Sequence, residues 1–322
     1  MRLRHVSPTD PGITRVRRGR GFEYRDARGK RIADDAVLER VRALAIPPAW
    51  RDVWICTRAN GHLQAVGIDD ADRTQYLYHE DWERRASARK FDRALSFAET
   101  LPAVRRGVTR DLRREHPDRA RVLAGAFRLL DTALLRVGSE RYAQENGTVG
   151  LATLRCEHVR TDGSRIGLSF IGKSGGPWER TFVDDDLARL LTELLARGSD
   201  AHLLSWRDEH GWHPLRAHDI NADLRTRARG DVTVKDVRTL RGTVIAARSL
   251  ARTGVAPNKA ARKRAVADAA RDAAEALGNT PTVARGSYID PRVIDRYAHG
   301  LVVDDGTNAH VERQLAALVR AQ

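Results

Sequence analysis

Tyr288 stands nine residues beyond Asn279, in a stretch that runs Leu277-Gly278-Asn279-Thr280-Pro281 and then Arg285-Gly286-Ser287-Tyr288. It places a phenol a short, fixed distance past a polar side chain, at a break between two helical patterns. Three cations upstream could complete a phosphodiester site with it. They are Arg136 in Leu135-Arg136-Val137-Gly138, Lys173 in Ile171-Gly172-Lys173, and Arg238 in Lys235-Asp236-Val237-Arg238. Each alone is a weak signal, because a cation in a basic chain is usually a solvated charge. Their order and their neighbours carry the inference.

The chemistry such a set suits is transesterification at a DNA phosphodiester. Its transition state puts extra negative charge on the non-bridging oxygens, and an alkoxide must leave. Two arginines can hold those oxygens with paired, charge-assisted hydrogen bonds. A tyrosine phenol, with an ordinary pKa near ~10, serves both as nucleophile and as leaving group. A phosphotyrosine ester therefore conserves the energy of the broken strand, and resealing needs no ATP. A lysine on a hairpin tip can give a proton to the departing 5′ oxygen, its pKa lowered by burial and nearby arginines. No cofactor is called for.

The elements that must position these groups divide the chain into a basic arm over residues 1–20, a β-rich domain over 21–88 and a larger, mainly helical domain over 89–322. Phe22-Glu23-Tyr24 alternates, and Val37, Leu38, Val41 and Leu44 share one face of a short helix stopped by Pro47-Pro48. Val53–Cys56 and Leu63–Gly67 flank Asn60-Gly61, a dipeptide that favours the positive φ angles of a two-residue type I′ hairpin turn. Thr74–Tyr78 adds a further strand. Beyond residue 88 the period becomes helical, with Leu123, Phe127, Leu130 and Leu134 on one core stripe. A three-stranded β-meander interrupts it: Leu151–Val159, Ile166–Ile171, a Gly-rich tip carrying Lys173, and Trp178–Val183. Gly278 suits the C-cap of the Ala-rich helix Asn258–Leu277. Thr280-Pro281 and Asp290-Pro291 each read as an N-cap followed by proline at the first helical position. The expected fold class is α+β.

Lys+Arg number 57 against 43 Asp+Glu, a net charge of +14 over 322 residues. That balance favours a polyanionic partner, most simply double-stranded DNA. Only two cysteines occur, Cys56 and Cys156, which excludes a disulfide framework and fits a reducing cytoplasm. No apolar run has signal-peptide or membrane-spanning length. His62, His79 and His158 show no metal-ligand spacing. Gly172-Lys173-Ser174 resembles the end of a phosphate-binding loop, with Gly167 six residues before Lys173, but Gly167 opens no strand-to-helix turn.

Six further segments extend the pattern. They are Ala45-Ile46-Pro47-Pro48-Ala49-Trp50, Val53-Trp54-Ile55-Cys56, Gly61-His62-Leu63-Gln64-Ala65, Arg73-Thr74-Gln75-Tyr76, Glu145-Asn146-Gly147-Thr148-Val149-Gly150-Leu151 and Lys235-Asp236-Val237-Arg238-Thr239. With them the chain, from about Gly21 to Gly300, resembles the type IB DNA topoisomerases, in their compact poxvirus-like and bacterial branch. The resemblance implies a tyrosine recombinase/topoisomerase IB catalytic fold. It also implies that Arg136 and Arg238 bind the scissile phosphate, that Lys173 is the general acid and that Tyr288 is the nucleophile. Asn279 falls where many relatives carry a histidine that donates to a non-bridging oxygen; asparagine also donates, but stays neutral. By the same resemblance Gln75, Tyr76 and Tyr78 lie on the DNA-facing strand of the N-terminal domain, and Tyr142 near the scissile phosphate. A monomer clamping the duplex in the cytoplasm, associated with the nucleoid, is the expected setting.

Plainer readings weigh against some of these residues. Tyr297 reads as a core tyrosine, and Arg241 as a solvated or phosphate-positioning charge. Gln75, Tyr76 and Tyr78 could simply pack a sheet, but polar–aromatic alternation on a basic domain favours DNA contact. A tyrosine site-specific recombinase shares the fold and chemistry, yet its second arginine normally follows a histidine by three residues, where this chain has Lys235. A non-catalytic DNA-binding protein explains the charge but not the joint occurrence of Arg136, Lys173, Arg238 and Tyr288.

Overall fold

A computed structural model describes residues 1–138, 140, 147–172 and 175–320. The chain divides into two compact units, the first Met1–Arg89 and the second beginning at Lys90.

In the first unit, β1 (Gly12–Arg18), β2 (Gly21–Arg25), β3 (Arg51–Cys56), β4 (Leu63–Ile68) and β5 (Thr74–Tyr78) form one sheet in the order β2-β1-β3-β4-β5. Every pairing is antiparallel. The helix α1 (Asp35–Ala43), N-capped by Asp34, adds Val41 to a core of Ile13, Val53, Ile55 and Ala65. Residues 12–18 therefore do not belong to a flexible arm, as their arginine content suggested, but sit inside the sheet between β2 and β3. Ile13 is buried in the core. The charge of Arg15 is absorbed by three carbonyls, at Ile46 (3.1 Å), Pro47 (2.9 Å) and Trp50 (2.6 Å). A run of arginines is compatible with a strand when its alternate positions reach acceptors.

The Asn60-Gly61 turn also differs from expectation. Residues 57–62 form a longer connection between β3 and β4, and neither Asn60 nor Gly61 takes a positive φ. Gly61 instead bridges to Arg4, and a Cβ on it would lie 2.6 Å from Cys56 Sγ. Gln64 closes the loop by donating to the carbonyls of Gly61 (2.7 Å) and Ala59 (3.2 Å). Here glycine serves a close approach rather than a turn angle.

The second unit is mainly helical. It contains most of α2 (Glu80–Leu112), then α3 (Arg119–Ala133), α4 (Asp185–Leu195), α5 (Ala217–Ala228), α6 (Val234–Thr253), α7 (Lys259–Leu277), α8 (Pro281–Ser287), α9 (Pro291–Ala298) and α10 (Asn308–Arg320). Three strands, β6 (Val159–Asp162), β7 (Arg165–Ile171) and β8 (Pro177–Val183), form the expected antiparallel meander. Its first strand is shorter than the hydrophobic pattern indicated. Leu151–Thr153 and Cys156–His158 are 3-10 turns; the four buried residues from Leu151 to Leu154 form a continuous run whose period cannot tell a strand from a turn. A hairpin of β9 (Ser205–Asp208) and β10 (Gly211–Pro214) was not apparent in the pattern. The fold is α+β, as expected.

α6 forms the axis of this unit: Val237, Leu240, Val244, Ala247 and Leu250 are all buried. α7 packs on it through Ala265, Ala269, Ala270, Ala273 and Ala274. Small side chains let two helices approach closely, and this brings the C-terminal end of α7 beside the middle of α6.

Candidate active site

Three chain breaks converge where α3, α7 and α8 end. Leu134, the C-cap of α3, takes a left-handed conformation (φ 56°) and turns the chain toward Arg136. Gly278 caps α7 with φ 59° and delivers Asn279; a Cβ there would lie 2.0 Å from the Trp178 ring, so only glycine fits. Thr280 caps α8 with its hydroxyl, Pro281 occupies the first turn, and Tyr288 is the C-cap. The caps at Gly278 and Thr280-Pro281 were legible from residue type; the stop at Leu134, read as part of the helical stripe, was not.

Tyr288 is 8 % exposed. Its carbonyl accepts from Thr243 Oγ1 at 3.1 Å, and Gly242 lets α6 come close enough for that contact. Arg238, 2 % exposed, places its guanidinium carbon 5.3 Å from the centroid of the Tyr288 ring. It donates to the carbonyls of Leu134 and, at 2.8 Å, of Leu277. Those oxygens lie at the C-terminal ends of α3 and α7, where carbonyls lack amide partners and the helix dipole is negative. The charge is thus tolerated without a carboxylate partner. Its Nε is enclosed and has no acceptor.

Arg136 donates from Nη2 to Asn279 Oδ1 at 2.5 Å and to the Gly278 carbonyl at 3.2 Å. This contact fixes which way the Asn279 amide points, since only its oxygen can accept from a guanidinium. Asn279 Nδ2 is left as an enclosed donor without a partner. Buried donors are normally satisfied. Among the described residues Arg238 Nε, Asn279 Nδ2 and, on the cavity-lining Trp178, Nε1 have no hydrogen-bond partner.

A cavity of about 490 Å³ opens here, lined by Arg136, Lys235, Asn279 and Tyr288 among others. Burial is the main cause of an Arg238 pKa lowered to about 10; Tyr288 opposes that fall and Arg136 adds to it. Arg238 stays charged at neutral pH. For Tyr288 burial works against ionisation, yet Arg238, Arg136 and Lys235 together bring the phenol below the ordinary tyrosine range. A partly activated phenol facing unsatisfied donors can attack, and then hold, a tetrahedral oxyanion.

The structure thus brings together Arg136, Arg238, Asn279 and Tyr288. Lys173 lies outside the described residues, but its neighbours Gly172 and Gly176 line the cavity. Tyr142 also lies outside them. Gln75, Tyr76 and Tyr78 lie on β5 of the first unit but do not share a face. Tyr76, half exposed, stacks on Tyr78 with ring centroids 6.1 Å apart. Gln75 shares the face of Leu77, which packs on the core, and donates to Asp69 Oδ2 at 2.8 Å.

Lys235 was considered only as a replacement for histidine; the structure makes it a cavity-lining cation that acts on Tyr288. Its spacing of three from Arg238 on a helix was the available signal. Arg241 is neither solvated nor near the cavity lining, but 8 % exposed and paired with Glu312 at 3.0 Å. Among the described residues no group of three His, Cys, Asp or Glu side chains could hold a metal ion, and no helix is long and apolar enough to cross a membrane.

Comparison with known families matches both units. The model for the catalytic core of eukaryotic DNA topoisomerase I covers residues 79–301, so the class is that of a DNA topoisomerase, an isomerase. The model for the N-terminal domain of bacterial DNA topoisomerase IB covers residues 21–69. DNA topoisomerase 1B of Acanthamoeba polyphaga mimivirus is 28% identical over 295 residues, 89% of this chain and 87% of that protein. DNA topoisomerase 1B of Vaccinia virus (strain Copenhagen) is 23% identical over 269 residues, 81% of this chain and 82% of that protein. The chain belongs to the type IB DNA topoisomerase family.

Proposed function

We propose that the chain relaxes supercoiled duplex DNA by transient single-strand cleavage, swivelling and religation through a 3′-phosphotyrosine on Tyr288. The phenol releases its proton to solvent as its oxygen bonds to the scissile phosphorus. The P–O5′ bond breaks, and the departing 5′ oxygen takes a proton from Lys173. After rotation the 5′ hydroxyl returns its proton to Lys173 as it attacks the same phosphorus, and Tyr288 leaves and takes up a proton from solvent. Arg136 and Arg238 hold the non-bridging oxygens, and Asn279 Nδ2 donates to one of them. The ester stores the energy of the broken bond, so resealing draws no ATP. Guanidinium groups take up the phosphate charge, a task that other phosphoryl-transfer sites give to metal ions.

The observation that carries this reading is the pairing of a phenol with a lowered pKa and two enclosed, partnerless donors, Arg238 Nε and Asn279 Nδ2. An anionic group entering the cavity would meet Arg136 and Asn279, which line it. The net charge of +14 supports a duplex partner, with contacts from Gln75, Tyr76 and Tyr78 on β5 and from Tyr142. The protein acts as a monomer in the cytoplasm, on nucleoid DNA.

A supercoiled plasmid incubated with the protein in EDTA tests the reading. Relaxation is expected. Site-dependent strand exchange would instead make the protein a recombinase, and a mobility shift with neither would make it a binding module.

A further inference from the structure

Thr243 holds the backbone of Tyr288 from α6. A second contact reaches the neighbouring residue from elsewhere in the unit and plays no part in the mechanism above. Lys90, on α2, donates from Nζ to the carbonyl oxygen of Ser287 at 3.0 Å. Ser287 ends α8 and immediately precedes Tyr288. Carbonyls of a last helical turn lack amide partners and carry the negative end of the dipole, so an ammonium group suits them. The side chain is itself held, with Nζ 4.1 Å from the centroid of the Phe91 ring. Burial and the charge of Lys235 lower the Lys90 pKa, while Asp236 and Asp290 act against that fall.

Neighbouring positions on α2 hold the elements that flank the nucleophile. Arg93 donates to Asp236 at 3.2 Å; Asp236, 1 % exposed, accepts from the Thr233 backbone (3.0 Å) and hydroxyl (2.7 Å) at the start of α6. Asp92 accepts from Arg292 at 2.8 Å, and Arg292 also donates to Asp290, the N-cap of α9. Residues 90–93 thus reach α6, α8 and α9 around Tyr288. Lys90 does not line the cavity.

We propose that Lys90 is a positioning residue for strand transfer to Tyr288, acting through the Ser287 carbonyl to set where the phenol oxygen points. The proposal rests on the reading of Tyr288 as nucleophile given above. An in-line attack tolerates little error, and a displacement of about 1 Å costs on the order of 10²-fold in rate. A misplaced phenol raises the barrier equally in both directions. Cleavage and religation therefore slow together, and the cleavage equilibrium stays where it was.

The test is single-turnover cleavage of a duplex whose downstream end dissociates, with protein in excess. Lys90→Met keeps the length and the buried stem but removes the donor. We expect covalent-adduct formation to slow about 10- to 100-fold, with the same end point and the same DNA affinity. Lys90→Arg, which can still reach the carbonyl, should recover most of the rate. A 5′-bridging sulfur should not rescue Lys90→Met, since the leaving group is not what Lys90 serves. The proposal is overturned if Lys90→Met cleaves at the wild-type rate. It is also overturned if only the end point or the affinity falls, which would mark a structural role, or if sulfur restores the rate. Adduct formation by the unchanged protein, lost in Tyr288→Phe, serves as the separate control: its absence overturns the nucleophile reading itself and the proposal with it.

Discussion

Arg238 and Arg241 lie three residues apart on α6, both are buried, and they live in opposite surroundings. Arg241 meets Glu312 at 3.0 Å and lies 4.0 Å from Asp131. Arg105 completes that cluster, with 2.7 Å contacts to both carboxylates. Burial works against the Arg105 charge, but Asp131 and Glu312 more than reverse it and raise its pKa. Among the described residues Arg238 has no carboxylate partner, only helix-end carbonyls and the Tyr288 phenol, and burial lowers its pKa. One cluster closes its charges on themselves and ties α2, α3, α6 and α10 together. The other sets a guanidinium against two helix-end carbonyls and beside the Tyr288 ring. A carboxylate beside Arg238 would neutralise the field that lowers the Tyr288 pKa, and would compete with any phosphate. The same residue type closes an ion-pair cluster where carboxylates meet it, and stands beside a phenol where they do not.

The largest effect belongs to Tyr288. Tyr288→Phe should abolish covalent-adduct formation and plasmid relaxation while leaving DNA affinity intact, because only the phenolic oxygen forms the bond. A trapped adduct with the Phe variant would remove Tyr288 from the reactive side of the comparison.

The two arginine settings should then separate cleanly. Arg238→Ala should lose about 10²- to 10³-fold in cleavage rate, the scale of one oxyanion donor, and should also lose about 1–3 kcal/mol of stability, because the Leu134 and Leu277 carbonyls lose their donor. Glu312→Ala strands the buried charges of Arg105 and Arg241 and should cost about 3–5 kcal/mol of stability. Below its melting temperature that variant should cleave at close to the wild-type rate. Thermal melts and single-turnover cleavage on both variants provide the check. A large cleavage defect in stably folded Glu312→Ala would break the distinction.

The smallest effect is expected at Lys235. Its charge helps to lower the Tyr288 pKa, so Lys235→Ala should raise that pKa and move the rising limb of the pH–rate profile to higher pH. Cleavage at neutral pH should fall by roughly fivefold or less, the scale of one partly solvated charge. A profile that does not move, or that moves to lower pH, would mean the phenol is not the group whose ionisation limits the rate.

Much of the site could be read from single segments, because its helix stops are local events. Gly278, Thr280-Pro281 and Asp290-Pro291 cap helices through contacts within a few residues, and each cap lies where its residue type indicates. The sheet of the first unit was harder. The strand over 12–18 was concealed by its arginines; the acceptors of Arg15 lie about thirty residues further along the chain. The loop at Asn60-Gly61 follows from contacts with Arg4 and Cys56 rather than from its own turn preference.

By itself the sequence determined the α+β class, the helix boundaries around the site, and which phenol and which arginines belong together. Those properties depend on period, capping chemistry and family-specific segments, all of which are written locally. Tertiary structure alone decided the electrostatics. Arg136 meets Asn279 across 143 residues, and Lys90 meets the Ser287 carbonyl across 197. Whether a buried arginine finds a carboxylate or a pair of helix-end carbonyls depends on which elements pack beside it. Residue type cannot specify that, because Arg238 and Arg241 are chemically identical, one helical turn apart, and differ only in what the fold brings to them.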